Sequence, residues 1–430
     1  MNNNIPASTK ADEPDKRGLP AGKVAVPIAT LGIFGVAFFF FLFRLTAKTL
    51  ASGMGDGSDL QLTNSGFNRL NAVNATNTRA ASYNAALPSF ARNVLVTDSN
   101  VLNGLTLDNW VCKTDLISST VCGASLTLGF KGTTQVTLLV DNARLAPFVA
   151  SRCPIIAWSA NGGALQTHQL RATETSVLLA SGVTNPIIDL YIKGMSPFED
   201  RYSGDVPPNS VKITGFVLDP GGSTRAVPQS GKVWLNIGDS IMSGDAASYA
   251  ANQGRPADDN WAASDDGRAC YGYLLAQRYG YREIRLAYGG YDWAGVANLP
   301  ALTALIDHKT STISRLTNGF LYPIPDVVLI NLGENGVPAL TSVSQALVKL
   351  RSRVNPATKI IVMIPASGKA RAEITRAFSS YTNSTHDARS FLADLGPLRF
   401  ATADGTHPTA GGHQSIYQDT VPVFDSIISR

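Results

Sequence analysis

The 430 residues are too many for one ordinary domain and enough to bury two cores, and 44% hydrophobic against 16% charged side chains excludes a largely disordered chain. The net charge of +4 is local: the first fifty residues hold six basic and three acidic side chains, leaving 30 basic against 29 acidic for the remainder. A nearly neutral body without a lysine-arginine block interleaved with aromatics excludes nucleic acid as its partner.

Val24 to Phe43 is a run of twenty residues without a charge. At helical rise it spans about 30 Å, the thickness of a bilayer's hydrocarbon core. Lys10, Lys16, Arg17 and Lys23 precede it, and only Arg44 and Lys48 follow closely. That bias predicts a cytoplasmic tail (1–23), a transmembrane signal anchor (24–43) and a body outside. In a bacterium this is a single-pass protein of the inner membrane with its body in the periplasm. A cleavable signal peptide ending near Thr49-Leu50-Ala51 is the alternative; the long apolar run and the basic residues after it favour the anchor, and both readings export the body. Residues 44–92, rich from position 51 in Asn, Ala, Ser, Thr and Gly, read as a linker or stalk.

From 93 to 228 short β-type runs follow one another: Ser125 to Phe130, Gln135 to Val140, Ile155 to Ser159, Ser176 to Leu179, Ile187 to Ile192 and Val211 to Leu218. Gly, Pro, Asn and Asp clusters separate them and no amphipathic helix intervenes, a pattern that predicts an antiparallel, jelly-roll-like accessory sandwich. Cys112, Cys122, Cys153 and Cys270 lack the paired spacing of a metal or redox site, so no metal is expected. In an oxidising compartment Cys112 and Cys122 are the expected disulfide, closing a hairpin around Lys113 to Thr120. Connectivity stays open, and the other two read equally well as free buried thiols.

Residues 229–430 alternate apolar strands with helical stretches, which predicts an α/β unit with a parallel sheet covered by helices. The strands are Val233 to Ile237, Glu283 to Ala287, Asp326 to Asn331 and Lys359 to Ile364. The helices are Tyr271 to Tyr279, Leu299 to Ile313, Val343 to Val354 and Gly411 to Ser429.

The first of these strands runs into Gly238-Asp239-Ser240, so Ser240 stands at a strand's carboxyl end, where open α/β sheets hold their ligands. A serine hydroxyl needs a base to become a nucleophile. One is available in Ala403-Asp404-Gly405-Thr406-His407-Pro408: Asp404 and His407, three apart on a tight loop, can meet so that Asp404 orients the imidazole while its other nitrogen faces Ser240. Asn335, in Gly333-Glu334-Asn335 after the third strand, can aim an amide N–H at a developing oxyanion; it equally suits a plain Asn-Gly turn. After the second strand, Gly289 or Gly290 lets a backbone N–H approach the same point.

These blocks, in this order and each at a strand end, resemble the SGNH (GDSL-like) hydrolase superfamily over Lys232 to Arg430. The resemblance implies a three-layer, flavodoxin-like domain with Ser240 as nucleophile and oxyanion donor, Gly290 and Asn335 as further donors, His407 as general base and Asp404 as its partner. Asp239, Gly289 and Glu334 are candidate substrate contacts, although an exposed loop acid is the plainer reading of Glu334. Block two has Gly289-Gly290-Tyr291-Asp292 in place of spaced glycines, which leaves the donating glycine open, and Ile241-Met242 replace the usual leucine harmlessly. The insertion from Ala246 to Ala269, carrying Asp258, Asp259, Asp265 and Asp266, is expected to overhang the site as a lid or as a solvated acidic loop. His168, His308, His386 and His413 have no companion motif and read as structural or surface residues.

A sandwich ahead of such a domain is similar to two-domain carbohydrate esterases. Here Val211 to Pro220 would be its last strand and exit. That similarity implies deacetylation of an O-acylated polysaccharide through an acyl-enzyme, without a cofactor. An O-acyltransferase decorating a cellulose- or peptidoglycan-type polymer, and a non-catalytic sugar-binding component of a polysaccharide synthase system, are the rival readings. Partners would be the acylated saccharide, the membrane through the N-terminal helix, and synthase or acyltransferase components.

Overall fold

The computed structural model describes residues 92–104, 109–258 and 260–429. The expected tail and membrane anchor, and the stalk except for Arg92, lie outside them, and no described helix is long and apolar enough to cross a membrane.

The first part of the chain forms two antiparallel sheets. Its elements are β1 (Arg92–Leu95), α1 (Ser99–Gly104), β2 (Val111–Cys112), β3 (Ile117–Ser119), β4 (Ser125–Lys131), β5 (Val136–Val140), β6 (Ile155–Ala160), β7 (Gln166–Gln169), β8 (Ser176–Ala180), β9 (Ile187–Gly194), β10 (Val211–Leu218) and β11 (Ser223–Arg225). One sheet runs β2-β3-β10-β5-β8, with β1 also paired to β10; the other runs β11-β4-β9-β6-β7. Their inner faces meet in one core that includes Phe130, Leu138, Ile156, Trp158, Ile188, Leu190 and Phe216. Each such side chain contributes about 1.5–3 kcal/mol through burial, and alternation along the strands decides which side chains face inward.

All six expected strands form. The others, β1 to β3, β7 and β11, are two to four residues long and carry too few alternations to be legible. Strand β10 is therefore not the last of the sandwich: a turn at Gly222, whose N–H bonds Asp219 O, sends β11 back along β4.

The cysteines correct another expectation. All four are free thiols. Cys112 pairs across β2–β3 with Ile117, whereas Cys122 lies buried beyond that hairpin, with the Arg201 guanidinium 4.0 Å from its sulfur. The hairpin is closed by its backbone ladder.

The second part comprises β12 (Val233–Gly238), α2 (Ser240–Ser243), α3 (Trp261–Ser264), α4 (Tyr271–Arg278), β13 (Arg282–Ala287), α5 (Leu302–Leu305), the hairpin β14 (Leu316–Thr317) and β15 (Phe320–Leu321), β16 (Val327–Asn331), α6 (Leu340–Arg353), β17 (Lys359–Met363), α7 (Arg371–Thr385), β18 (Ser390–Ala393) and α8 (Ala410–Ile428). Its five-stranded sheet has the order β13-β12-β16-β17-β18 and every pair is parallel. In this flavodoxin-like order the winding reverses at β12, opening a crevice outside the carboxyl ends of β12 and β16. Helices α6 and α7 cover one face through Val343, Leu347, Ile374 and Phe378; α4 and α8 cover the other through Tyr271, Leu275, Ile416 and Phe424.

The helix expected over Leu299 to Ile313 is cut to Leu302–Leu305. Beyond it comes Thr310-Ser311-Thr312, and the Thr310 hydroxyl accepts from the N–H of Ile313, replacing a helical turn by a local side-chain turn. The chain reverses there, with a bridge between His308 and Ser314.

The two parts share a polar seam. Arg285, fully buried on β13, bonds Glu283 (2.7 Å), Gly267 O (2.8 Å) and Ser243 O (3.3 Å), while its backbone N–H donates to Asn109 of the sandwich side (2.7 Å). Further along, Arg268 grips Asp189 of β9 with two bonds of 2.6 and 2.9 Å and lies 4.2 Å over the Tyr191 ring.

Candidate active site

The turn from β12 into α2 places Ser240. A side chain at Gly238 would put its first carbon 2.3 Å from Cβ of Met242, so only glycine lets the strand meet the helix this closely. Asp239 then caps α2, its carboxylate accepting the Ile241 N–H at 2.9 Å. Ser240 is buried at the crevice.

From the other end of the sequence, the loop before α8 brings His407. Its Nε2 lies 3.0 Å from Ser240 Oγ and its Nδ1 2.8 Å from Asp404 Oδ2. An ionised carboxylate only accepts, so Nδ1–H donates to Asp404 and Nε2 is left to accept the serine hydroxyl proton. Asp404 is clamped as well by the N–H groups of Thr406 (3.0 Å) and His407 (2.8 Å). Its partial burial opposes the charge, but those donors and the imidazole hold it below the usual carboxylate range.

Three expected site residues converge here, and the others stand around them. Ser240, Asp404, His407, Gly289, Gly290 and Asn335 all line a cavity of about 550 Å³. Gly290 is in the left-handed region (φ 72°) with open space where a side chain would be, whereas at Gly289 a first carbon would sit 2.9 Å from Pro197. The Asn335 amide donates to Tyr291 O at 3.1 Å and more loosely to Asp239 at 3.3 Å.

Asp239 is not a cleft-facing contact. It is fully buried, and that burial, together with the carboxylates of Glu334, Asp245 and Asp292, pushes its carboxyl up to about 8 against the pull of the Ile241 N–H. Glu334 is buried too, held by the Lys369 ammonium at 2.7 Å and the Ser367 hydroxyl, so it is not the exposed loop acid expected of it.

Sequence reasoning missed five residues lining the cavity, one of them the buried Asp245 just after α2. Pro197 and Phe198 arrive from the sandwich side, and Arg255 and Trp261 from the insertion. Trp261 meets the His407 ring edge-on at 5.6 Å and Phe198 at 5.8 Å, while the Arg255 guanidinium lies over the Trp261 ring at 5.3 Å. A tryptophan inside an acidic loop was the available signal. The insertion is also fastened: Asn252 and Gly254 donate to the carbonyls of Thr402 and Ala403, and Ala410 N donates back to Ala247 O. Of its acids, Asp258 is exposed and Asp265 fully buried.

The bystander histidines stay apart from Ser240. His168 pairs with Glu174 at 2.8 Å, His308 follows α5 and His386 caps α7. His413 is fully buried on α8, and burial followed by the charges of Arg285 and His407 lowers it to about 3, which keeps it neutral.

A jelly-roll-like sandwich is thus joined to a parallel 2-1-3-4-5 sheet, with a serine and a histidine in contact at the carboxyl end of that sheet. Among solved structures the chain is similar to a family two carbohydrate esterase from Cellvibrio japonicus: TM-score 0.64, 15% identity, covering 79% of this chain and 98% of that one. It is similar also to a family two carbohydrate esterase from Clostridium thermocellum in complex with cellohexaose (TM-score 0.59, 16% identity, 75% and 98% covered) and to an acetyl xylan esterase from Butyrivibrio proteoclasticus (TM-score 0.59, 16% identity, 79% and 99% covered). The fold of these carbohydrate esterases is therefore the fold of this chain. No protein-family model matches the sequence, and no curated protein matches it.

Proposed function

We propose that the protein is a serine esterase that removes short acyl groups from an O-acylated polysaccharide. The observation that carries this is the Ser240–His407–Asp404 chain of 3.0 and 2.8 Å contacts at the mouth of a 550 Å³ cavity. His407 takes the Ser240 proton as the oxygen attacks the ester carbonyl, and returns it to the departing sugar hydroxyl. Asp404 fixes the tautomer and offsets the imidazolium charge. The N–H groups of Ser240 and Gly290 and the Asn335 amide receive the tetrahedral oxyanion; the Tyr291 carbonyl orients that amide, and its weaker contact with Asp239 yields. Water then attacks the acyl-enzyme with His407 again as base, giving the free acid and regenerating Ser240. No cofactor takes part.

Polysaccharide as the alcohol is supported by the fold shared with carbohydrate esterases and by the exposed Phe198 ring beside the triad, a flat apolar face on which the C–H face of a sugar can rest. Export fits this substrate: in this proposal residues 24–43 anchor the body in a bacterial inner membrane, with the catalytic part in the periplasm beside polysaccharide synthase or acyltransferase components.

The test is hydrolysis of p-nitrophenyl acetate, a longer-chain ester and acetylated xylo-oligosaccharides by the wild type and by Ser240→Ala. Ser240→Ala is expected to lose at least about 10³-fold in kcat with an unchanged melting temperature. Equal turnover by both proteins would remove the proposal. Transfer of acetate to an added saccharide, with little free acetate, would instead assign an O-acyltransferase using the same site.

A further inference from the structure

A second cavity, of about 490 Å³, lies where the sandwich meets the α/β part, away from the triad. Its α/β wall is built at the amino ends of β12 and β13, by Ser230, Gly280 and Arg282, whereas Ser240 stands at the carboxyl end of β12. The six residues of β12 therefore separate the two by about 17 Å along the strand. Domain seams are where ligand sites concentrate.

The floor is saturated. Asp189 accepts two bonds from Arg268 and one from Thr127 at 3.1 Å, so the charges there are already compensated. The rim is the opposite. Tyr273 and Gln277, one helical turn apart on α4, and Tyr281 just beyond it present two phenols and an amide, and Gln229 of the connecting segment adds a second amide. None of these four side-chain polar ends bonds another described residue. Beside them the Nε of Arg282 is buried without a hydrogen-bond partner. One face of each ring is taken, Tyr273 by Arg268 and Tyr281 by Lys232, both at 5.6 Å; the planar amides, the guanidinium and what is left of the half-buried rings match vicinal hydroxyls and the apolar C–H faces between them.

We propose that this seam is a second saccharide-binding site, taking an uncharged, unacylated stretch of polysaccharide and holding the polymer near the cleft. The ligand class rests on the carbohydrate reading of the cleft. Tethering of this kind raises the local concentration of ester groups without any new contact at the triad.

The test is calorimetric titration of xylohexaose and cellohexaose, both without acyl groups, into the full chain carrying Ser240→Ala. The same titration is made after adding Tyr273→Ala with Gln277→Ala in the seam, or Trp261→Ala in the cleft. The seam pair is expected to weaken one binding component at least about tenfold, and the cleft change to leave that component in place. The milder pair Gln229→Ala with Gln277→Ala, and the melting temperature of each protein, separate loss of binding from loss of fold. Overturning results are a parent that binds neither saccharide, a seam pair that titrates like its parent, or binding of free glucuronate or phosphate but of no neutral oligosaccharide. Hydrolysis of acetylated xylo-oligosaccharides by the wild type is measured separately, so the esterase proposal stands or falls on its own result.

Discussion

At the scale of single residues, Asp404 and Asp239 show how surroundings divide two carboxyls of one site. Asp404 receives two backbone N–H groups and an imidazole N–H and stays ionised. Asp404→Asn should keep the loop's shape but spoil the tautomer of His407, lowering kcat on p-nitrophenyl acetate by about 10²–10⁴-fold, as pH-rate measurement would show. Asp239, raised to about 8, keeps its proton in the folded chain over a range in which the unfolded chain has released it. Between roughly pH 4 and 8 the folded state thus binds more protons than the unfolded state, so this group makes stability fall as pH rises through that window and level off above it. Urea midpoints at pH 5 and pH 8 should differ more for the wild type than for Asp239→Asn, which cannot ionise. Equal differences would refute the assignment.

At the scale of elements, the decisive joint is the one between β12 and α2. Gly238→Ala drives a carbon to 2.3 Å from Met242 Cβ and should cost about 1–3 kcal/mol in urea unfolding, with a matching disturbance of Ser240. Regular elements were legible because their periodicity was long: the six sandwich strands and four of the five parallel strands carry clear apolar runs. The fifth, Ser390–Ala393, has four residues and a half-buried pattern that announces little. Helix α7 was missed despite Ile374, Ala377, Phe378 and Tyr381 at helical spacing, all buried, because Ser and Thr crowd its polar face and weaken its propensity. The meeting of Ser240, His407 and Asp404 was legible because they sit in two short motifs at strand and helix ends. Trp261 and Phe198 were not, since nothing local to a sequence says which loop of one part folds over another.

At the scale of the whole molecule, the seam behaves as core and not as a hinge. Arg285 and Glu283 are almost wholly removed from water, so Arg285→Ala would strand a buried carboxylate. A loss of about 3–5 kcal/mol is expected, read as a lower urea midpoint for both parts together, since the guanidinium bonds Glu283, Ser243 O and Gly267 O on the α/β side and packs against Gly123 on the sandwich side. Two separate transitions, with the sandwich part unaffected, would contradict this coupling.

Pro197 and Phe198 stand on the sandwich side of the chain, yet they form a wall of the cavity in front of Ser240. The amino-terminal part is therefore no detachable passenger. A truncated α/β part on its own, or one grafted behind a foreign leader module, would keep Ser240, His407 and Asp404 and lose the cavity wall that Pro197 and Phe198 supply. The cavity in front of Ser240 is whole only when both pieces travel together.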